Sequence, residues 1–297
     1  MKKTPSRSIS IMLVAAVYLV SFLAATILFR RMVGMHPLWA MFLVDVAATL
    51  LVWAAGVVLG NSSVYDPYWS VTPLPIAISW AIGQGGFARW IFLAVLLVWG
   101  VRLTANWAWR WQGLGYQDWR YTMYRTRMPR LWPVVNLFGI HLMPTVLVFL
   151  AMIPVFFGMS ADVPANPLTW SGALFSLGAV WLAHAADRQL DAYQRLPDPK
   201  PPIAVGLWKV CRHPNYLGEI IFWWGLWIIQ VSLIPMMWTI IGPLMITVLF
   251  VFVSIPMMER HLVDRHPEYT QVIGAVPMLV PSPRQLIKRI RQTVSFR

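Results

Sequence analysis

Apolar residues along this chain fall in long blocks, broken by a charge only at Asp45 and Arg102. They follow neither the alternation of a half-buried strand nor the narrow stripe of a surface helix. Blocks at 9–29, 38–59, 90–109, 134–157, 168–186, 220–234 and 238–256 are at or near the length that carries a helix across a bilayer. An eighth, 71–82, is short and holds Pro73 and Pro75, so it reads as a doubtful or re-entrant span. Pro235 separates the last two blocks and predicts a tight helical hairpin. The first block runs to Phe29 without a small-residue cleavage site, so it reads as a first span, not a removable leader. The expectation is an all-α polytopic membrane bundle of seven to eight transmembrane helices.

Composition sharpens this. Hydrophobic residues make up 58% of the 297 positions and charged residues 12%, where a soluble domain carries roughly a quarter charged. The mean hydropathy of +0.61 agrees. Disorder is excluded, because this much apolar surface demands burial. A water-soluble globule of this size could not hide it. The lone Cys211 excludes an internal disulfide and any cysteine-based metal cluster.

The net charge of +13 would suggest a nucleic-acid partner in a soluble protein. Here the basic residues sit between apolar blocks, in 110–130, in 187–219 and in the tail after 259, while 158–167 has none. That pattern reads as cytoplasmic loops, with both termini cytoplasmic and no nucleic acid involved. Arg30 and Arg31 then fall outside, against the trend. The 18 tryptophans, many near span ends, read as an interfacial belt. The proline-rich stretch 196–202 is a stiff connector. The basic tail 284–297 reads as an amphipathic anchor on anionic lipid.

The densest polar cluster is Gly206-Leu-Trp-Lys-Val-Cys-Arg-His-Pro-Asn-Tyr-Leu-Gly-Glu219, at the mouth of the seventh block. Pro214 biases His213 away from helix. Asn215 is then placed to cap the helix that follows, and Glu219 to sit in its first turn. Lys209 and Arg212 offer donors suited to phosphate. Arg102, Asn106 and Arg110 recur on one helical face, which must meet protein or water. With Asp118 and Arg120 they read either as ion pairs or as a second wall of a phosphate site. Asp66, Tyr68 and Tyr121 are the groups chosen here for proton delivery, Asp66 having a helix cap as its plainer reading. Asp45 lies inside the second block with no partner legible in the sequence. His141 and His184 read as satisfied structural groups, and no spacing supports a metal site. No Gly-x-Gly-x-x-Gly or Walker loop is present, so a dinucleotide would bind by a non-Rossmann route.

The run Gly206 to Gly225, with Arg212-His-Pro-Asn-Tyr-Leu-Gly-Glu219 at its centre, resembles the signature of a bacterial membrane family of unknown function (DUF1295-like). That family is related to the C-terminal domain of steroid 5-alpha-reductases. More distantly it is similar to sterol reductases and isoprenylcysteine carboxyl methyltransferases. Asn61 to Trp69, Trp99 to Leu103, Asp118 to Tyr121, Asp187 to Leu190, Met258 to Arg260 and the Tyr269 to Pro281 tail resemble further parts of it, in order. The resemblance implies an NADPH pocket open to the cytoplasm, touched by Arg212, His213, Asn215, Tyr216 and Glu219, with Asp187 ahead of them. Ala183 stands where the reductases commonly carry Asn. Their carbonyl-polarising Glu and Tyr do not align with the N-terminal half.

The resulting expectation is an NADPH-dependent reductase of the inner (plasma) membrane. It would act on a C=C bond conjugated to a carbonyl in a lipophilic small molecule. Cofactor contacts would come from Arg102, Asn106, Arg110, Asp118, Arg120, Asp187, Lys209, Arg212, His213, Asn215, Tyr216 and Glu219. The alternatives are an S-adenosylmethionine-dependent membrane methyltransferase and a non-catalytic lipid-binding protein. Residues 1–60 would supply N-terminal membrane helices, 61–283 the reductase-like domain and 284–297 the tail.

Overall fold

A computed structural model describes residues 5–197, 202–203 and 205–280. These are helical, with no strand among the described residues. The tail 284–297 and most of the proline-rich connector lie outside them.

The helices are α1 (Arg7–Arg31), α2 (Pro37–Leu59), α3 (Pro73–Ala81), α4 (Ala88–Arg110), α5 (Trp119–Arg127), α6 (Trp132–Met159), α7 (Pro167–Gln194), α8 (Pro214–Leu233), α9 (Met237–Arg265) and α10 (Tyr269–Ala275). Six of them, α1, α2, α4, α6, α8 and α9, are long and apolar enough to cross a membrane. The chain is therefore a helical membrane protein. The block at 71–82 is not a span: Pro73 opens α3 at its first position, and the helix ends after nine residues. Helix α7 has 28 residues, about 42 Å at 1.5 Å per residue, but its polar C-terminal half makes it the least apolar of the long helices. The helix that carries the 220–234 block, expected to begin after an Asn215 cap, starts at Pro214, because proline at N1 already has helical φ.

The chain divides into two compact units. The first comprises Met1–Ala173 and Leu226–Gly242, the second Leu174–Gly225 and Pro243–Arg297.

In the first unit α1 packs on α2, and α2 on the turn Ser62–Tyr65. Gly60, at φ 68°, ends α2 in the left-handed conformation that glycine adopts without a Cβ penalty. Arg7, at the start of α1, caps the end of α4. Its Nε donates to the Trp111 carbonyl at 2.8 Å, and its terminal nitrogen to those of Ala108 and Trp109. Helix α6 contains a π-helical stretch, Val135–Leu142, within which His141 Nδ1 lies 2.7 Å from the Asn136 carbonyl.

In the second unit α7 and α8 cross closely. A Cβ on Gly218 would lie 2.7 Å from the Ala179 carbonyl and 2.8 Å from the Ala183 Cβ. Small residues permit such crossings where no hydrophobic effect drives helices together.

Candidate functional site

In the first unit, the loop after α2 is fastened to the loop after α4 by side chains. Asn61 caps its own turn through Ser63 N and donates to the Leu114 and Tyr116 carbonyls, both at 2.9 Å. Ser63 Oγ accepts from Asp118 N at 2.9 Å, and Gln117 Oε1 from Ser62 N at 3.2 Å. This stitching carries Tyr121, three residues past Asp118, onto Asp66. The Tyr121 hydroxyl donates to Asp66 Oδ1 at 2.6 Å. Burial lifts the Asp66 carboxyl from its ordinary 3.8 to about 7; the negative charge of Asp118 adds to this, while the Tyr121 bond and the Arg120 charge oppose it. Burial also pushes the Tyr121 phenol well up. Asp118 caps α5, accepting from Arg120 N at 2.8 Å. It also holds the Arg120 guanidinium by two bonds, at 2.8 and 3.0 Å.

Tyr68 takes the opposite direction from Asp66. Its hydroxyl donates to Asp45 Oδ1 at 2.8 Å, and its ring stacks on Tyr65 at 5.2 Å. Asp66, Tyr68 and Tyr121 thus divide into two pairs, Asp66–Tyr121 and Asp45–Tyr68. Behind the second pair runs a buried hydroxyl chain. Tyr65 and Thr49 each meet the Thr145 hydroxyl, at 2.8 and 2.9 Å, and Thr145 donates to the His141 carbonyl. Arg102, Asn106 and Arg110 lie half-buried along one face of α4.

In the second unit, the motif residues gather at the start of α8. Arg212 Nε donates to Glu259 Oε1 at 2.7 Å; its Nη1 donates to the Ile273 carbonyl at 2.9 Å and to that of Val276. Arg212 N adds a bond to the Pro277 carbonyl at 3.0 Å. The guanidinium therefore clasps α9 and the segment around α10. His213 Nε2 lies 2.9 Å from the same Glu259 oxygen, and its ring stacks in parallel on Tyr216 at 5.5 Å. Asn215 Nδ2 donates to Asp187 Oδ1 at 3.3 Å.

Asp187, Arg212, His213 and Glu219 are all buried, whereas Lys209 is exposed on the turn Gly206–Lys209. That turn is held by Gln189, whose Oε1 accepts from Leu207 N at 2.9 Å, and by Trp208 Nε1 on the Ala186 carbonyl at 3.1 Å. Because α8 begins at Pro214, Asn215 lies inside the first turn, where its Oδ1 accepts from Tyr216 N, and Glu219 lies one turn deeper than expected. Burial raises the Cys211 thiol to about 11, so Cys211 is an inert packing group.

Two partners escaped the sequence reading. Glu259, some forty residues beyond the motif, joins Arg212 to His213; its one signal was the Met258-Glu259-Arg260 resemblance. Asp45 finds Tyr68, an association with no fixed spacing in sequence. Ala183, standing in place of an Asn, is explained by the crossing: it is 1% exposed beneath Gly218, where a longer side chain has no room.

A family model described as a protein of unknown function (DUF1295) matches residues 52–273. An uncharacterized protein of Schizosaccharomyces pombe is 25% identical over 202 residues, 58% of this chain and 58% of its own length. The chain thus spans a little over half of that curated relative. No solved structure matches.

Proposed function

The chain belongs to the DUF1295 family, and from that premise we propose a membrane-embedded, NADPH-dependent reductase acting on a C=C bond conjugated to a carbonyl in a lipophilic substrate. The observation that carries the reading is the buried polar cluster at the start of α8, with Asp187, Arg212, His213 and Glu219 each at most 9% exposed. Ionisable groups among apolar helices are costly to keep and are retained where they work.

The donor set fits a nucleotide in a specific way. The carboxyl groups of Asp187 and Glu219 suit ribose hydroxyls. Asn215 and Tyr216 offer polar edges and a ring face to a base. The exposed Lys209 suits a phosphate at the rim. Arg212, engaged by Glu259 and by two carbonyls, frames this seat and is not itself the phosphate clamp. When bound, the reduced nicotinamide supplies a hydride to an electron-poor carbon. Within the first unit, Asp66 with Tyr121, a pair that holds a proton near neutral pH, and Tyr68 on Asp45 are the groups chemically able to give up a proton. The basic segments support a cytoplasmic position for the motif and C-terminus, and the plasma membrane is the membrane proposed.

One observation favours a second reading. The Arg212 cation is held by Glu259 and backbone carbonyls inside the protein, so it offers no open charge to a phosphate. S-adenosylmethionine carries no phosphate and asks for none, and a methyltransferase acting on a lipophilic substrate follows. Calorimetric titration of the protein in detergent with NADPH and, in parallel, with S-adenosylmethionine decides. Binding of NADPH that weakens at least tenfold in Lys209→Ala supports the reductase. Binding of S-adenosylmethionine alone replaces it with the transferase, and heat from neither overturns both.

A further inference from the structure

We infer that the first unit holds a ligand site of its own, separate in its residues from the α8 cluster, which takes the hydroxyl end of a neutral lipid-soluble alcohol from the bilayer. A cavity of about 120 Å³, open on one side, lies between α1, α2 and the segment from Tyr68 through α3. Phe22, Ala25, Val44 and Ile76 give it apolar walls. Its rim includes Thr26, an exposed residue of α1 whose neighbours Leu23 and Ile27 are 56% and 62% exposed. Helix α1 is one of the membrane-crossing helices, so a rim among outward leucine and isoleucine opens to hydrocarbon. Visitors therefore arrive dissolved in lipid.

The interior is not plain hydrocarbon. Asp45 and Thr72 face the cavity, each 5% exposed, together with Tyr68 at 1%. Asp45 receives the Tyr68 hydroxyl on one oxygen. Thr72 Oγ1 is fully buried and has no partner among the described residues. A helical threonine ordinarily bonds back to a carbonyl of the preceding turn, as Thr26 does to Phe22 at 2.8 Å. An orphaned buried hydroxyl in the same hollow as a carboxyl group asks for one ligand atom that both donates and accepts, which a hydroxyl does. Lysine and arginine are missing from the lining, so nothing there would offset an anionic head. The volume sets the reach: a cavity of about 150 Å³ holds a benzene-sized group. One ring or a short chain end enters, and the remainder of the molecule trails into the bilayer.

The test uses the full chain in lipid nanodiscs and a twelve-carbon alcohol carrying a diazirine, photolysed and mapped by mass spectrometry. Labels are expected on α1, α2 and the Tyr68–Ala81 stretch, competed by excess dodecanol. The same diazirine on a dodecane chain should label these peptides at least fivefold less. Thr72→Val removes the orphaned hydroxyl, and Thr26→Trp obstructs the rim from an exposed position without touching the core. Each should cut labelling at least fivefold while leaving the melting curve in place. Equal labelling by alcohol and alkane, or labelling unmoved by both variants, overturns the assignment. Nucleotide titration of the same samples reads the α8 cluster independently.

Discussion

Ionisation of Asp66 is expected to cost this protein stability as the pH rises. The Asp66 carboxyl stands near 7 in the fold against an ordinary 3.8, chiefly through burial. Its folded value is the higher one. Between pH 4 and 7 the native state therefore holds a proton that the unfolded chain has released, and stability falls as pH rises through that window. Above pH 7 the whole penalty is present. The displacement corresponds to about 4 kcal/mol at most. Asp66 keeps some exposure, and solvent screening reduces this to about 2 kcal/mol. Asp66→Asn retains an oxygen for the Tyr121 hydroxyl but cannot ionise. At pH 8 it should exceed the natural chain in stability by about 2 kcal/mol, and the difference should close as the pH falls to about 4 and below. Thermal unfolding in detergent, followed by tryptophan fluorescence at pH 4, 5, 6, 7 and 8, reads the difference. Tyr121→Phe removes a donor that favours the ionised carboxylate, so its transition should move to higher pH. Parallel pH slopes for the natural chain and Asp66→Asn would refute the reasoning, because the proton would then be bound elsewhere.

Three further outcomes are expected. Glu259→Ala leaves the Arg212 cation buried without its counter-charge, a loss of about 3–5 kcal/mol. Faster hydrogen exchange across Tyr269–Ala275 should accompany it, and Arg212→Lys should not preserve the clasp, since an ammonium lacks the fork that reaches both a carboxylate and two carbonyls. Gly218→Val drives a side chain into the Ala179 carbonyl and Ala183; about 3 kcal/mol or a failure to fold is expected, read as melting temperature and monodisperse yield in detergent. Cys211, lifted from 9.0 to about 11, should alkylate at pH 8 about a hundredfold more slowly than a free thiol, and full reactivity should return on unfolding.

The sequence by itself determined the class of solvent and the helical answer to it. Blocks of apolar residues with no interior alternative for their backbone groups have to be helices in lipid, and α1, α2, α4 and α6 begin and end within two residues of where the pattern puts them, while α8 starts six residues before its block and α9 runs nine residues past its own. Proline positions also carried local meaning: Pro73 starts a short helix where a span had been an option, and Pro214 starts α8 inside the motif. The motif that marks the family was legible too, since residue identity and spacing are what a linear pattern records. What needed the tertiary structure was every pairing at long sequence separation. Tyr68 and Asp66 are two residues apart yet turn to opposite partners, Asp45 and Tyr121, because the loop after α2 is pinned by Asn61 and Ser63 to another loop. Arg212 looked like a phosphate donor and is a clasp, because Glu259 arrives from a different helix. Arg7, whose partner has no trace in the sequence, is the cap of α4. Hydrogen bonds and ion pairs act over about 3 Å, so their partners are settled only when packing brings distant helices together.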